Sequence, residues 1–175
     1  MPSCFLLIGN LIYIFLIGLY MPTIRKATLE DLAGISNIIK NNLDVPELSV
    51  QFSQHDLLIP FVERGQYYVA VDNNNIVGVM SLVITEQSCE IYAIASKQPG
   101  CGHLLIQYAE TFCREQHIPK LWCWSFKRYH AQGFYQRMGF EEAFLMRKQW
   151  FGEDCYIFEL CRKFCLQKVQ SLERL

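Results

Sequence analysis

The chain has 175 residues and a formal net charge of −1, with 51% apolar and 19% charged residues. That is the size of one compact domain with its own core, which excludes global disorder. The balanced charge argues against a protein that tracks nucleic-acid phosphates. The charge is unevenly placed, however. Residues 1–24 carry none, and every Lys, Arg, Asp and Glu follows from Arg25 onward.

The opening segment, residues 1–21, is apolar almost throughout from Cys4 to Met21. It reaches the lower bound of about 17–25 residues for a membrane-spanning helix. It has neither the basic start nor the small-residue cleavage site of a signal peptide. Two readings stay open. In one, residues 4–21 are an anchor, the only means of membrane contact, and Arg25 and Lys26 place the rest of the chain in the cytoplasm. In the other, Met21 is the true start. Either way the expected location of the domain is cytoplasmic. The eight cysteines are scattered, with no Cys-x-x-Cys, and several sit in apolar runs as small hydrophobes. His55, His103, His117 and His130 form no ligand spacing with them, so no metal site is expected.

No repeat or linker divides residues 22–161, which read as one domain followed by a tail over 162–175. Thr23–Ala27 reads as a short strand. Thr28 followed by Leu-Glu-Asp is a capping-box-like start, and Ile35, Ile38, Ile39 and Leu43 continue at helical spacing. After a break at Pro46, a second helix falls within Ser53–Arg64. Tyr67–Val71, the turn Asp72–Asn75 and Ile76–Thr85 form a hairpin, and Glu90–Ala95 is a third strand of this group. A tight glycine loop, Lys97–Gly102, leads into a helix over His103–Gln116, with Leu105, Tyr108, Ala109, Phe112 and Cys113 on one side. Pro119 ends that region. Leu121–Ser125 is a strand, Tyr129–Met138 a short helix closed by Gly139, and Glu141–Trp150 with Cys155–Cys161 a last hairpin across Gly152–Asp154. The pattern gives a mixed α/β (α+β) sheet, mostly antiparallel and flanked by helices.

Two motifs carry chemistry. A Gly-x-Gly turn entering a helix brings backbone amides close to a ligand, and amides at a helix start suit phosphate oxygens. By itself such a turn is often only a turn. The second motif runs from Tyr129 to Phe140, with Ala131, Phe134, Tyr135, Gly139 and Phe140 in fixed register. Together the two resemble the GNAT acyltransferase superfamily, whose members carry a Gln/Arg-x-x-Gly-x-Gly/Ala loop opening a helix. Farther on in those proteins comes a helix reading Ala-x-x-Phe-Tyr-x-x-x-Gly-Phe. The resemblance covers roughly residues 22–161 and also extends to the strand order.

The resemblance implies acetyl-CoA as co-substrate, an amine acceptor, and transfer by direct attack of the amine on the thioester. The amides of Gly100, Cys101, Gly102 and His103 would receive the pyrophosphate. The pantetheine arm would pair near Ile94 and Ala95, where a backbone N–H can steady the tetrahedral intermediate. Tyr135 matches the family's tyrosine that protonates the leaving thiolate; the plainer reading is a core aromatic. Glu90 is the candidate base, against a solvent-facing strand glutamate. Trp122 and Trp124 read as core, with one face free to line an acceptor pocket. Cys101 has no base beside it and reads as a small loop residue. The chain departs from the pattern at Lys97, which replaces the planar fork of Gln or Arg, at Pro99, which has no N–H, and at His130, where many members have an asparagine contacting the pantetheine arm; two readings of His130 stay open, a cap on the helix or a contact to that same group. The competing readings are a non-catalytic acyl-CoA-binding module on the same fold and a membrane-tethered interaction domain. The acceptor's identity and the oligomeric state are not legible in the sequence.

Overall fold

A computed structural model describes residues 21–42 and 53–161. The segment before Met21, the break at Pro46 and the tail over 162–175 lie outside the described residues. Among the described residues, no helix is long and apolar enough to cross a membrane.

Seven strands make one sheet. They are β1 (Thr23–Lys26), β2 (Tyr67–Asp72), β3 (Asn75–Thr85), β4 (Ser88–Ser96), β5 (Lys120–Phe126), β6 (Glu141–Trp150) and β7 (Glu153–Cys161). Their spatial order is β1-β2-β3-β4-β5-β7-β6. Every pairing is antiparallel except β4 with β5, which the crossover helix α3 (Cys101–Glu115) makes parallel.

The antiparallel half is stitched by two-residue turns. Asn73 and Asn74 both take positive φ between paired Asp72 and Asn75, the geometry that suits the right-handed twist of a hairpin. Phe151 and Gly152 do the same between Trp150 and Glu153. The last turn is therefore tighter than Gly152–Asp154, and β7 starts two residues earlier than its apolar run.

Helices cover both faces. On one, α1 (Leu32–Asn42) and α2 (His55–Glu63) seat Ile35, Ile38, Ile39, Leu58 and Val62 against Tyr67, Val69 and Val79. The entry to α1 is a 3-10 turn at Leu29–Asp31. There the Asp31 carboxylate accepts from the Thr28 N–H at 2.8 Å and from both Arg25 nitrogens at 2.6 and 2.9 Å. On the other face, α3 packs Leu105, Ile106, Ala109 and Cys113 onto Met80, Leu82, Cys89 and Cys123, beside α4 (Gln132–Arg137). Five of the cysteines, Cys89, Cys101, Cys113, Cys123 and Cys155, are free and buried as core residues.

The helix expected over Tyr129–Met138 is broken. A 3-10 turn at Lys127–Tyr129 stops where His130 enters the left-handed region at φ +50°, and α4 begins only after this change of direction.

Candidate functional site

The site begins as an irregularity in β4. Ser81 pairs with Ala93 and Leu82 pairs with Ile91, so Tyr92 is the extra residue of a β-bulge. Such a bulge bends its strand and increases the local twist. On the opposite side, β4 stays with β5 only over Ser88–Glu90, paired with Lys120–Trp122. Beyond Glu90 the two neighbours diverge. Among the described residues, no strand pairs with the β5-facing edge of β4 from Tyr92 to Ser96.

A cavity of about 1170 Å³ fills this opening. Its walls are Ile91–Ser96 of β4, Trp124–Phe126 of β5, the turn from Lys97 to His103 except Cys101, and residues of the Tyr129–Met138 segment. A site this large exceeds the ~300–1000 Å³ of a single small-ligand pocket.

The structure brings together most of the expected binding residues. Ile94, Ala95, Lys97, Gly100, Gly102, His103 and His130 all line the cavity. Gly100 holds φ +80° immediately before α3, a conformation that glycine adopts at no steric cost. As the first residues of that helix, Gly102 and His103 have amides with no intrahelical acceptor. Cys101 differs from expectation. Its side chain is buried beneath the turn against β3, and its N–H already donates to the Gln98 carbonyl at 3.2 Å. That amide is occupied by the turn itself. Burial pushes the thiol up to about 11. His130 does not cap α4; the N-cap position is Ala131, and His130 stands exposed at the cavity wall.

Tyr135 lines the cavity from α4 but is itself buried, 5% exposed. Its ring stacks on Phe158 at 4.7 Å and meets Phe134 and Phe140 edge-on. Its hydroxyl hydrogen-bonds to the Cys123 thiol on β5. Burial raises the phenol well above its ordinary range, and the sulfur beside it raises it further. The Cys123 thiol is pushed up to about 12 by its own burial, against the hydrogen bond from Tyr135.

Glu90 sits one step behind the cavity surface. The pleat turns it to the face opposite Cys89, the face that carries α1 and α2. There its carboxylate receives a hydrogen bond from the Trp124 indole, two residues beyond its register partner Trp122. Burial lifts the carboxyl above the ordinary glutamate range, and the Trp124 bond opposes that rise. Trp124 is a wall residue held by the Trp150 ring at 4.3 Å. Sequence reasoning left Tyr92, Phe126 and Tyr129 unassigned, yet all three line the cavity. Two aromatics alternating on β5 and the tyrosine that opens the second motif are the available signals. Nothing in the sequence marks the bulge.

Among the described residues, no group of His, Cys, Asp and Glu is arranged to hold a metal ion.

Comparison with known proteins identifies the fold. Residues 63–142 match the model of the acetyltransferase (GNAT) domain. An uncharacterized protein of Bacillus subtilis strain 168, YxbD, is 34% identical over 81 residues. That stretch spans 45% of this chain and 51% of the relative, about half its length. The PaiA N-acetyltransferase of Thermoplasma acidophilum, solved in complex with coenzyme A, superposes with a TM-score of 0.68 at 16% identity. The match covers 80% of this chain and 98% of that one. A probable acetyltransferase of Staphylococcus epidermidis gives a TM-score of 0.72 at 16% identity, over 81% and 99% of the two chains. The fold is the GNAT fold.

Proposed function

On a GNAT fold whose residues 63–142 carry the acetyltransferase domain's signature, we propose that the chain transfers an acetyl group from acetyl-CoA to a primary amine. The observation that carries this reading is the opening between β4 and β5, with the glycine turn at one end and Tyr135 and Glu90 on opposite faces of the sheet beside it.

The pyrophosphate of CoA binds at the amides of Gly100, Gly102 and His103, with the Lys97 side chain adding charge. The pantetheine arm follows the unpaired edge of β4 past Ile94 and Ala95, as an added strand would. The acetyl carbonyl then lies against that edge, where a strand N–H steadies the oxyanion.

The amine arrives as an ammonium ion and must lose a proton before it can attack. Glu90 takes that proton through one water, and its raised pKa brings it closer to a working base near neutral pH. The amine nitrogen bonds to the carbonyl carbon, the tetrahedral intermediate collapses, and the carbon–sulfur bond breaks. The electron pair leaves on the CoA sulfur, which takes up the second proton of the attacking nitrogen, so the products are the neutral amide and the CoA thiol. Tyr135 remains protonated because its phenol is raised so far by burial. Its part is a hydrogen bond to the developing thiolate; complete proton transfer from so weak an acid is uphill.

The test has two arms. Acetyl-CoA should raise the melting temperature of the folded protein, with stabilisation growing as RT ln(1 + [L]/Kd). A panel of primary amines should then release free CoA thiol. Absence of stabilisation would refute the site. Stabilisation without turnover of any amine would leave a binding module and refute the transferase.

A further inference from the structure

Building on that transferase reading, we propose that the acceptor is an arylalkyl primary amine without a carboxylate, bound where Glu90, Tyr92 and Trp124 converge.

The described residues of the cavity wall divide by chemistry. Lys97, His103, His130 and Arg137, its cationic and imidazole side chains, come from the glycine turn and the His130–Arg137 segment. These suit the anionic cofactor. Tyr92, Trp124, Phe126 and Tyr129 form an aromatic wall of different character. It is continuous: Trp124 meets Phe126 at 5.3 Å, and Phe126 meets Tyr129 at 5.7 Å. Tyr92 stands across from it on the bulge of β4.

Glu90 ties the two sides together. It accepts from the Trp124 indole, and its charge is felt by Tyr92, whose phenol is raised first by burial and then by that carboxylate. A cationic head is therefore drawn to the point where a carboxylate stands behind aromatic faces. An acceptor bearing its own carboxylate would be repelled by Glu90 and would need a cation to receive it. Arg128 is the cation that lies over this wall's rings, at 5.4 Å from Phe126 and 5.6 Å from Tyr129. It is paired with Glu153 at 2.7 Å.

The aromatic faces are held before any ligand arrives. Trp124 stacks on Trp150 at 4.3 Å with 19° between planes, and Tyr92 stacks on Phe61 at 5.5 Å with 14°. Rings fixed in this way lose little freedom when a flat ligand docks, which favours an aryl group over a flexible alkyl chain. The cavity volume leaves room for such a group beside the pantetheine arm.

The test compares kcat/KM for phenethylamine, hexylamine, phenylalanine and spermidine with acetyl-CoA, and repeats the set with Trp124→Leu. Phenethylamine should exceed hexylamine by about tenfold, the worth of one aromatic contact. Phenylalanine should be poorer still. In Trp124→Leu the ratio of phenethylamine to hexylamine should fall toward one, mainly through KM. The ratio removes any general effect of losing the bond to Glu90. If that variant does not fold, Tyr92→Leu probes the facing side with the same readout. Equal or better turnover of hexylamine, phenylalanine or spermidine would overturn the inference and leave the transferase reading intact. Should no amine turn over, thermal shift of the CoA-loaded protein with phenethylamine decides. Stabilisation by phenethylamine and not by phenylalanine would support the pocket while refuting transfer, and absence of both would overturn the pocket as well.

Discussion

Gly78 lies on β3 directly beneath the turn that enters α3, paired with Ser96. A methyl group added there would lie 2.5 Å from Cys101 Sγ, 3.2 Å from Leu105 Cδ1 and 3.3 Å from Ser96 Cβ. Cys101 and Leu105 are 1% and 0% exposed, so neither has solvent to move into. Gly78→Ala must therefore push the start of α3 away from the sheet. Overpacking of this kind costs about 1–3 kcal/mol. For a chain of this size, 2 kcal/mol corresponds to a loss of about 4–8 °C in melting temperature. Because the displaced segment presents the Gly102 and His103 amides, the stabilisation given by a fixed acetyl-CoA concentration should shrink too. Cys101→Ala removes the sulfur that makes the closest contact. The double variant should recover about 1 kcal/mol relative to the sum of the single changes. Gly133→Ala serves as the control. Its closest neighbour is Arg137 Nη1 at 3.4 Å, and a helical Gly→Ala change should stabilise by about 0.5–1 kcal/mol. Denaturant unfolding and thermal shift, with and without acetyl-CoA, measure all of these. A Gly78→Ala protein that melts with the parent, or a double variant whose losses simply add, would refute the argument that α3 is seated by that contact.

Tyr135→Phe keeps the ring stack on Phe158 and removes only the hydroxyl; kcat should fall by about 10²-fold with the affinity for acetyl-CoA unchanged, and an undiminished kcat would remove Tyr135 from the reaction. Glu90 must be ionised to act, so kcat/KM should fall on the acid side with a midpoint above the ordinary glutamate range. Trp124→Phe deletes the hydrogen bond that favours the ionised carboxylate, so this limb should move to higher pH, whereas Glu90→Gln should abolish it; an unmoved limb would show that another group supplies the base. Asp31 is held below the ordinary carboxylate range, first by its bond to Arg25, with burial opposing and the Thr28 N–H helping. A lowered carboxylate pKa gives stability that is complete above the unfolded value of about 3.9 and is lost as pH falls through the folded one. Asp31→Asn should therefore cost about 1 kcal/mol near neutral pH, modest because Arg25 is half exposed. The gap from the parent should close in acid; denaturant midpoints across pH would expose a failure of that convergence.

The elements that the sequence makes legible are those built from local rules. Thr28 and Asp31 announce the entry to α1 because both partners of the cap lie within three residues. Asn73 and Asn74 announce a turn because their side chains tolerate positive φ. The register of Ala131, Phe134, Tyr135, Gly139 and Phe140 is legible for a different reason: it is the imprint of packing, with Tyr135 and Phe140 buried against Phe158. What escapes is whatever depends on two distant segments. The break at His130 follows from the path between β5 and α4 and has no local mark. The occupation of the Cys101 amide depends on how tightly the turn closes on Gln98. The offset of Glu90 from the cavity surface depends on which way the pleat faces.

The bulge at Tyr92 unites these non-local features. The pleat gives period-two alternation, so one extra residue reverses the facing of everything after it. Before the bulge, Cys89 and Ile91 face α3 and α4 while Glu90 faces α1 and α2. After it, Ile94 packs on the α3 side and Ala95 on the α1 side. An odd-numbered run thus gives way to an even-numbered one on the same face. The strand can in this way offer its candidate base to one side of the sheet and, four residues on, an apolar residue and an unpaired backbone edge to the cleft. The bulge lies just past the point where the pairing of β4 with β5 ends. The function proposed for the chain therefore rests on one inserted residue as much as on either recognisable motif. It also explains why composition and periodicity locate the cofactor's end of the site better than the acceptor's. Glycines and a helix start are local signals, whereas the acceptor's walls are assembled from β4, β5 and the turn before α4, and only the sheet brings Tyr92, Trp124 and Tyr129 together.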